Sequence, residues 1–259
     1  MAGNAELNSD EKGSDNLIKM LEHIFIPDTI DGGLTPCLLN VNQRSIPTWS
    51  GFPIDDTEPD ISHAAVLELP HQSVAKMNEA AQGSDDFLSA KCHCGGVSLL
   101  IKRKTYPPDL VARYTPKNRT KYLSYMCACR SCRLTTGVPL IPWATVPPAN
   151  ILDSAHAQVD FAHPEGNQGT TSLKSYRSST KVVRSFCGTC GATVGYVNEE
   201  RRDEVDLVVG LFRAEEGSMA RGWLEWEWGR CSFAEDSTAR EISEAWKGCK
   251  GFMDGSGKV

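Results

Sequence analysis

Short apolar runs dominate the second half of the chain. They are rich in β-branched residues and are separated by Gly, Pro, Asn and Asp, a pattern typical of strands and turns. Helical patterns in this half are short and cover residues 130–136 and 239–247. We therefore expect a mainly β fold with few short helices. The predicted strands are residues 97–101, 122–126, 138–146, 157–162, 172–176, 182–186, 192–197 and 205–212.

The first 88 residues carry weaker signals. Residues 1–16 are polar and acidic, which predicts a disordered N-terminus. Residues 17–25 form a short apolar or amphipathic segment, and the Asp and Gly content of residues 28–33 predicts a turn. Residues 34–62 are rich in Pro, Asn, Asp and Thr, which predicts a long loop. A helix is expected over residues 62–82, with Ala64, Val66, Leu67, Val74, Met77 and Ala81 buried.

Three cysteine clusters lie within about one hundred residues. The central one is the most compact, because Cys127, Cys129 and Cys132 fall within six residues. Thiolate sulfur is a preferred zinc ligand, and a Cys-x-x-Cys turn lets two sulfurs face one ion. Seven clustered cysteines then divide into four for a closed structural zinc and three for a zinc with an open fourth position. The four outer cysteines are Cys92, Cys94, Cys187 and Cys190.

Another grouping of the same cysteines is compatible with their spacing. Cys129 and Cys132 could join Cys187 and Cys190 in a zinc ribbon. That arrangement leaves three nearby thiols without a ligand role, so the division into four and three is the more economical hypothesis.

The open position of the central cluster is also a hypothesis at this stage. A fourth protein ligand, from His93, His156 or His163, would close the site. His93 lies between two predicted ligands, so we expect its side chain to point away from that metal. An iron–sulfur cluster is disfavoured because the spacing matches neither ferredoxin pattern.

These motifs resemble the glutathione-dependent formaldehyde-activating enzyme family, which includes centromere protein V. The resemblance covers residues 89–230. It implies a small Mss4-like β-tent fold, a structural zinc on Cys92, Cys94, Cys187 and Cys190, and a catalytic zinc on Cys127, Cys129 and Cys132. The matching residues are Cys92, Cys94 and Gly95; Cys127, Cys129, Cys132, Arg133 and Gly137; Tyr176, Ser178 and Ser179; and Arg184, Phe186, Cys187, Cys190 and Gly191.

The resemblance also suggests how the chain is divided. Residues 89–235 correspond to the zinc domain, and residues 236–259 to a C-terminal helix and tail. Residues 17–88 form an N-terminal extension, in which residues 23–50 resemble the end of a preceding family repeat. We therefore expect the extension to be the tail of a degenerate first repeat.

Charge is unevenly distributed along the chain. The net charge is −6, yet residues 91–191 hold 14 Lys and Arg and only four acids. Seven thiolates with two Zn²⁺ would still leave this region positive. A cationic site attracts anionic ligands such as glutathione. Solvated surface charge is the alternative explanation.

Arg130 and Arg133 lie in the central cysteine loop. A guanidinium there could bind a substrate carboxylate through paired hydrogen bonds. The alternative is that both arginines only offset the negative charge of the thiolates.

Other prominent residues are assigned structural roles. Trp223, Trp226 and Trp228 could form an aromatic wall, but such a stripe is more often core. Cys37, Cys231 and Cys249 match no cluster and are expected to be ordinary thiols. The sequence contains no Ser-His-Asp constellation, phosphate-binding glycine loop or Rossmann fingerprint.

Composition and motifs together predict a cytoplasmic zinc enzyme. Without a recognisable secretory signal, ten cysteines favour metal ligands in a reducing compartment over a disulfide scaffold. By resemblance, the enzyme is a carbon–sulfur lyase or synthase acting on a glutathione-like adduct of formaldehyde or another electrophile. Neither a membrane nor nucleic acid is an expected partner. The alternative class is a non-catalytic binding module of the Mss4 or centromere protein V type.

Overall fold

The computed structural model describes residues 3–7, 18–53, 58–80, 86–103 and 116–253. Strands predominate over helices, so the predicted mainly β class is confirmed. The strands are β1 (Gly3–Leu7), β2 (Ile18–His23), β3 (Asn40–Val41), β4 (Arg44–Ser45), β5 (Phe87–Lys91), β6 (Ser98–Lys102), β7 (Tyr122–Cys127), β8 (Ile141–Val146), β9 (Ile151–Asp153), β10 (Leu173–Ser179), β11 (Val182–Cys187), β12 (Thr193–Asn198), β13 (Val205–Val208) and β14 (Leu224–Ser232).

A seven-stranded sheet forms the main framework. Its strand order is β10-β11-β12-β13-β8-β7-β14. Neighbouring strands are antiparallel except at one edge, where β14 runs parallel to β7. In that pair Ser232 lies in register with Cys127. The last strand of the sheet therefore reaches the central cysteine loop.

A smaller sheet, ordered β5-β6-β9, packs against the main one. The pattern along β6 alternates, so that Leu99 and Ile101 are fully buried. They share one apolar core with Met126 on β7 and Val146 on β8. Burying these side chains between two sheets is the main source of hydrophobic stabilisation in this part of the chain.

The N-terminal extension shares this core. Met20, Leu38 and Ile46 are buried in the same cluster as residues of β5 to β8. The buried carboxylate of Asp31 accepts hydrogen bonds from the Met219 N–H (2.7 Å) and the Ser218 hydroxyl (2.9 Å). Gly3–Leu7 pairs with β2, although residues 1–16 were predicted to be disordered. The rest of that stretch lies outside the described residues.

The described residues include four α-helices: α1 (His63–Ala80), α2 (Arg130–Thr136), α3 (Arg240–Gly248) and α4 (Lys250–Met253). The first three agree closely with the sequence pattern. α3 buries Ile242 and Trp246, and the Trp246 indole donates to the Arg230 carbonyl at 2.8 Å. No helix in the described part of the chain combines the length and apolar character needed to span a bilayer.

The tryptophans belong to the core, as the structural interpretation predicts. Trp223 and Trp226 are each 6% exposed. Trp226 stacks on Trp228 with ring centroids 5.6 Å apart, and Trp246 contacts both rings.

Three strand and loop predictions differ from the structure, one of them only in part. Residues 157–162 form only an isolated bridge between Leu152 and Gln158. The Asp160 carboxylate accepts the N–H groups of Ala162 and His163, so side-chain turn chemistry replaces strand pairing there. The strand expected at residues 205–212 ends at Val208 and continues as a 3₁₀ turn. The loop expected at residues 34–62 contains the β3–β4 hairpin.

Candidate metal centres and the adjoining cavity

The four outer cysteines converge at one end of the fold. Cys92 and Cys94 lie in the turn after β5, whereas Cys187 ends β11 and Cys190 lies in the turn before β12. All four sulfurs lie within 4.8 Å of one another. Adjacent sulfurs are 3.6 Å apart in both the Cys92–Cys94 and the Cys94–Cys187 pair.

Two tight turns create this arrangement. Gly95 and Gly191 have φ angles of 74° and 75°, which disfavour a side chain. The Gly96 N–H donates to the Cys94 sulfur at 3.4 Å, and the Val97 N–H to the Cys92 sulfur at 3.3 Å. Such N–H donors stabilise thiolates.

The four-cysteine group fits Zn²⁺. A Zn–S bond of about 2.3 Å in a tetrahedron places sulfurs about 3.8 Å apart, close to the distances in this group. Donation from the Ala192 N–H lowers the pKa of Cys190 to about 6, which favours the thiolate that a metal requires. The donor set and the spacing therefore suit a closed tetrahedral metal site.

The central cysteines form a second, local group. Cys127 ends β7, Cys129 caps the N-terminus of α2, and Cys132 lies in its first turn. Their sulfurs also lie within 4.8 Å of one another. The Cys132 N–H donates to the Cys129 sulfur at 3.4 Å. Hydrogen bonds from the Cys127 and Cys132 thiols lower the pKa of Cys129 to about 2, so the cluster readily holds a thiolate and suits a thiophilic cation.

The structure thus brings the seven cysteines together as four and three, which excludes the zinc-ribbon grouping. Among the described residues, no histidine or carboxylate joins the three central sulfurs. His93 and His156 are exposed, and His163 pairs with Asp160 at 3.3 Å. A tetrahedral metal held by these three sulfurs would have one further coordination position, for which the described residues offer no ligand.

A cavity of about 670 Å³ adjoins the three-cysteine group. Its size lies within the range of small-molecule sites. The cysteines form one wall, and strands of the main sheet form another. Among the lining residues are Tyr125, Cys127, Cys129, Arg130, Cys132, Arg184, Tyr196, Arg201, Asp206, Arg230 and Phe233.

The two arginines predicted to bind substrate differ in position. Arg130 is exposed and lines the cavity, so it stays a candidate for that role. Arg133 does not line it. Its Nε donates to the Ala128 carbonyl at 2.9 Å, and its terminal nitrogens donate to the Asp236 carbonyl (2.8 Å) and the Thr238 hydroxyl (3.1 Å). Arg133 therefore anchors the cysteine loop to the C-terminal segment, and its substrate-binding role stays a prediction.

Arg184 on β11 is a site residue whose role the sequence reasoning missed. It is only 3% exposed, and its terminal nitrogens lie 3.7 and 3.6 Å from the Cys132 sulfur. Its Cζ lies 5.0 Å from the centre of the Tyr196 ring. The quoted motif contains Arg184, but a contact between residues 52 positions apart has no local signature in the sequence.

A buried polar network forms the far wall. The Thr145 hydroxyl donates to Asp206 Oδ1 at 2.8 Å, and Arg201 pairs with Asp206 at 3.1 Å and with Glu204 at 2.9 Å. Tyr125 also hydrogen-bonds to Asp206. Burial raises the pKa of both Tyr125 and Asp206, so the tyrosine hydroxyl keeps its proton.

Comparison with known proteins gives one family. The family model described as "Glutathione-dependent formaldehyde-activating enzyme" matches residues 87–223, more than half of the chain. Among curated proteins, none matches. A crystal structure of a Rhodobacter sphaeroides protein has 19% sequence identity and a TM-score of 0.34, with 53% of this chain and 98% of that chain covered. The segment that anchors Arg133 lies beyond the matched residues.

Proposed function

The chain belongs to the glutathione-dependent formaldehyde-activating enzyme family, and on that premise we propose that it is a zinc-dependent carbon–sulfur lyase or synthase. The proposed substrate is the adduct of a glutathione-like thiol with formaldehyde or another electrophile. One observation carries the proposal: a three-cysteine group without a fourth protein ligand among the described residues adjoins a ligand-sized cavity. A purely structural metal needs neither feature.

The proposed reaction makes or breaks one carbon–sulfur bond. In the synthetic direction, the thiol sulfur bonds to the carbonyl carbon, and the thiol proton ends on the carbonyl oxygen, which becomes a hydroxyl group. The lyase direction reverses both changes. Atoms and electrons balance without an oxidant or a reductant.

Cys127, Cys129 and Cys132 are the residues that would hold the catalytic metal. Zn²⁺ bound there supplies Lewis-acid chemistry and a coordination position for sulfur or oxygen. Cys129 also caps α2, so the helix N-terminus and its sulfur ligand are positioned together.

The remaining cavity residues bind and orient. Arg130, exposed beside the three-cysteine group, is proposed to attract an anionic end of the substrate. Tyr125 does not serve as a general base, because it stays protonated and is already bonded to Asp206. The network around Asp206 instead keeps this wall rigid and polar.

Zinc-loaded protein, glutathione and formaldehyde test the proposal. Exchange between free formaldehyde and its glutathione adduct is followed by NMR, because the adduct also forms without a catalyst. We expect exchange faster than in buffer, and loss of the acceleration in Cys129→Ser. Glutathione binding without any acceleration, for formaldehyde and for a panel of other aldehydes, would assign the chain to the binding-module class instead.

A further inference from the structure

The cavity wall contains a buried cation, Arg184, that has no carboxylate partner among the described residues. Within the described residues, the Arg184 guanidinium hydrogen-bonds to the Cys132 sulfur, and its Nε has no hydrogen-bond partner. Arg184 as a whole is 3% exposed. A buried charge is costly unless an anion compensates it, so the surroundings of Arg184 must supply negative charge.

Three of the neighbouring arginines are engaged elsewhere, and the fourth, Arg130, is exposed. Arg201 pairs with Glu204 and Asp206, and Arg230 pairs with Glu227. Arg133 does not line the cavity and donates to the Ala128 and Asp236 carbonyls and the Thr238 hydroxyl. In the part of the chain that the structure describes, Arg184 is therefore the buried cation that remains available to a ligand at the three-cysteine group.

The formal charges indicate when this cation matters. Three thiolates and one Zn²⁺ sum to −1, a charge that repels a further anion. A guanidinium beside Cys132 brings the local sum to zero. A thiolate that then enters the fourth position meets a neutral centre instead of a negative one.

We propose that Arg184 is the residue that lets the three-cysteine site accept an anionic sulfur, and so selects thiols that bind as thiolates. This inference rests on the proposed function and names the ligand form that its site recognises. Thioethers, which cannot form a thiolate, are the class that the site rejects. A guanidinium carries five N–H groups, so the two contacts with Cys132 leave others that can donate to the incoming anion.

The fold holds this guanidinium in position before a ligand arrives. The Tyr196 ring on β12 lies 5.0 Å from Arg184 Cζ. Arg184 lies on β11, the strand that ends at Cys187 of the four-cysteine group. A metal that holds the end of β11 therefore also fixes the strand that carries the anion-binding residue.

The test compares zinc-loaded wild type with Arg184→Met, Arg184→Gln and Arg184→Lys. The glutamine variant is a second neutral form, and its amide can still donate to the Cys132 sulfur. It replaces the methionine variant in the test if that variant does not fold. Arg177→Gln is the control, because Arg177 is exposed on β10 and pairs with Glu199 outside the cavity. Calorimetry measures binding of glutathione and S-methylglutathione, and elemental analysis measures zinc.

We expect wild type and Arg177→Gln to bind glutathione more tightly than S-methylglutathione. The neutral Arg184 variants should keep two zincs per chain and lose at least about tenfold in glutathione affinity, because an unneutralised negative centre repels the thiolate. Their affinity for S-methylglutathione should not change. Arg184→Lys should recover part of the preference through its charge, without the guanidinium geometry.

Either of two results would overturn the inference. The first is an unchanged preference for glutathione in the neutral variants. The second is loss of one zinc per chain in those variants. That loss would show that Arg184 only offsets the charge of the cysteine thiolates and does not select the ligand. Thiolate selection that depends on Arg184, in a protein without carbon–sulfur activity, would instead refute the proposed reaction and leave the inference standing.

Discussion

The four-cysteine group and the three-cysteine group use the same ligand atom but are assembled differently. The first joins Cys92 and Cys94 to Cys187 and Cys190, more than ninety residues away in sequence. The second takes all its sulfurs from one loop and faces a cavity. A ligand set that spans distant segments cross-links the fold, whereas a local set adds little cross-linking. The difference teaches that identical ligand atoms can suit a structural site in one place and an exchangeable site in the other, which is the division of roles that we propose.

The largest effect is expected from breaking the first group. Cys187→Ser removes a fully buried ligand that ties β11 to the turn after β5. Structural zinc contributes on the order of 10 kcal/mol in small zinc domains, which rivals the roughly 5–15 kcal/mol of a typical domain. We expect unfolded or insoluble protein, measured by circular dichroism and thermal melting. The control is Cys231→Ser, at a half-buried cysteine outside both groups.

Breaking the second group should abolish function and leave the fold intact. Cys132→Ser should give folded protein with about one zinc and no carbon–sulfur activity, but it also removes the sulfur that Arg184 contacts. Cys129→Ser is the cleaner variant, because serine is itself a favoured helix N-cap. Melting temperature, zinc content and activity are measured for both. If these variants unfold while Cys187→Ser keeps the wild-type melting temperature, the structural and catalytic roles of the two groups are reversed.

Metal removal should separate the groups without mutation. A chelator can add to the fourth position of the three-cysteine site, whereas it must displace a protein ligand at the other site. We expect titration with a chelator to release one zinc per chain, and the activity with it, before the protein unfolds. Added zinc should restore activity. Unfolding that coincides with release of the first zinc would contradict the assignment.

The smallest effect concerns the anchor of the three-cysteine loop. Arg133→Met removes donors to the Ala128 and Asp236 carbonyls and the Thr238 hydroxyl. Leaving such acceptors unpaired should reduce the free energy of unfolding by about 1–3 kcal/mol, measured by denaturant titration. The control Arg177→Gln, on the exposed face of β10, should change it by less than about 0.5 kcal/mol. Equal stabilities would show that the loop does not need this anchor.

The features that could be predicted from the sequence are those that local residue patterns determine. Cysteine spacing and adjacent glycines identified both cysteine groups, and α2 begins and ends where its pattern predicts. β-branched runs located most strands of the main sheet. The strand expected at residues 157–162 failed because the Asp160 carboxylate satisfies nearby N–H groups, a competition that residue alternation does not report.

Features that depend on distant contacts could not be predicted. Arg184 meets Cys132 only because β11 is placed opposite α2, and Arg133 meets residues 236 and 238 only because β14 returns to β7. The packing of the N-terminal extension into the common core has the same origin. Each of these contacts depends on the topology of the fold, so neither hydrophobic periodicity nor motif spacing predicts it.

The parallel pairing of β14 with β7 affects the order in which the protein folds during its synthesis. About one hundred residues separate the paired strands, and Ser232 aligns with Cys127. Such long-range pairing is slow to form, because a large loop must close first. During synthesis, the cysteine loop leaves the ribosome long before the strand and Asp236 that support it. We therefore expect the four-cysteine group to assemble first. The cavity beside the three-cysteine group should form only after the C-terminal segment emerges from the ribosome.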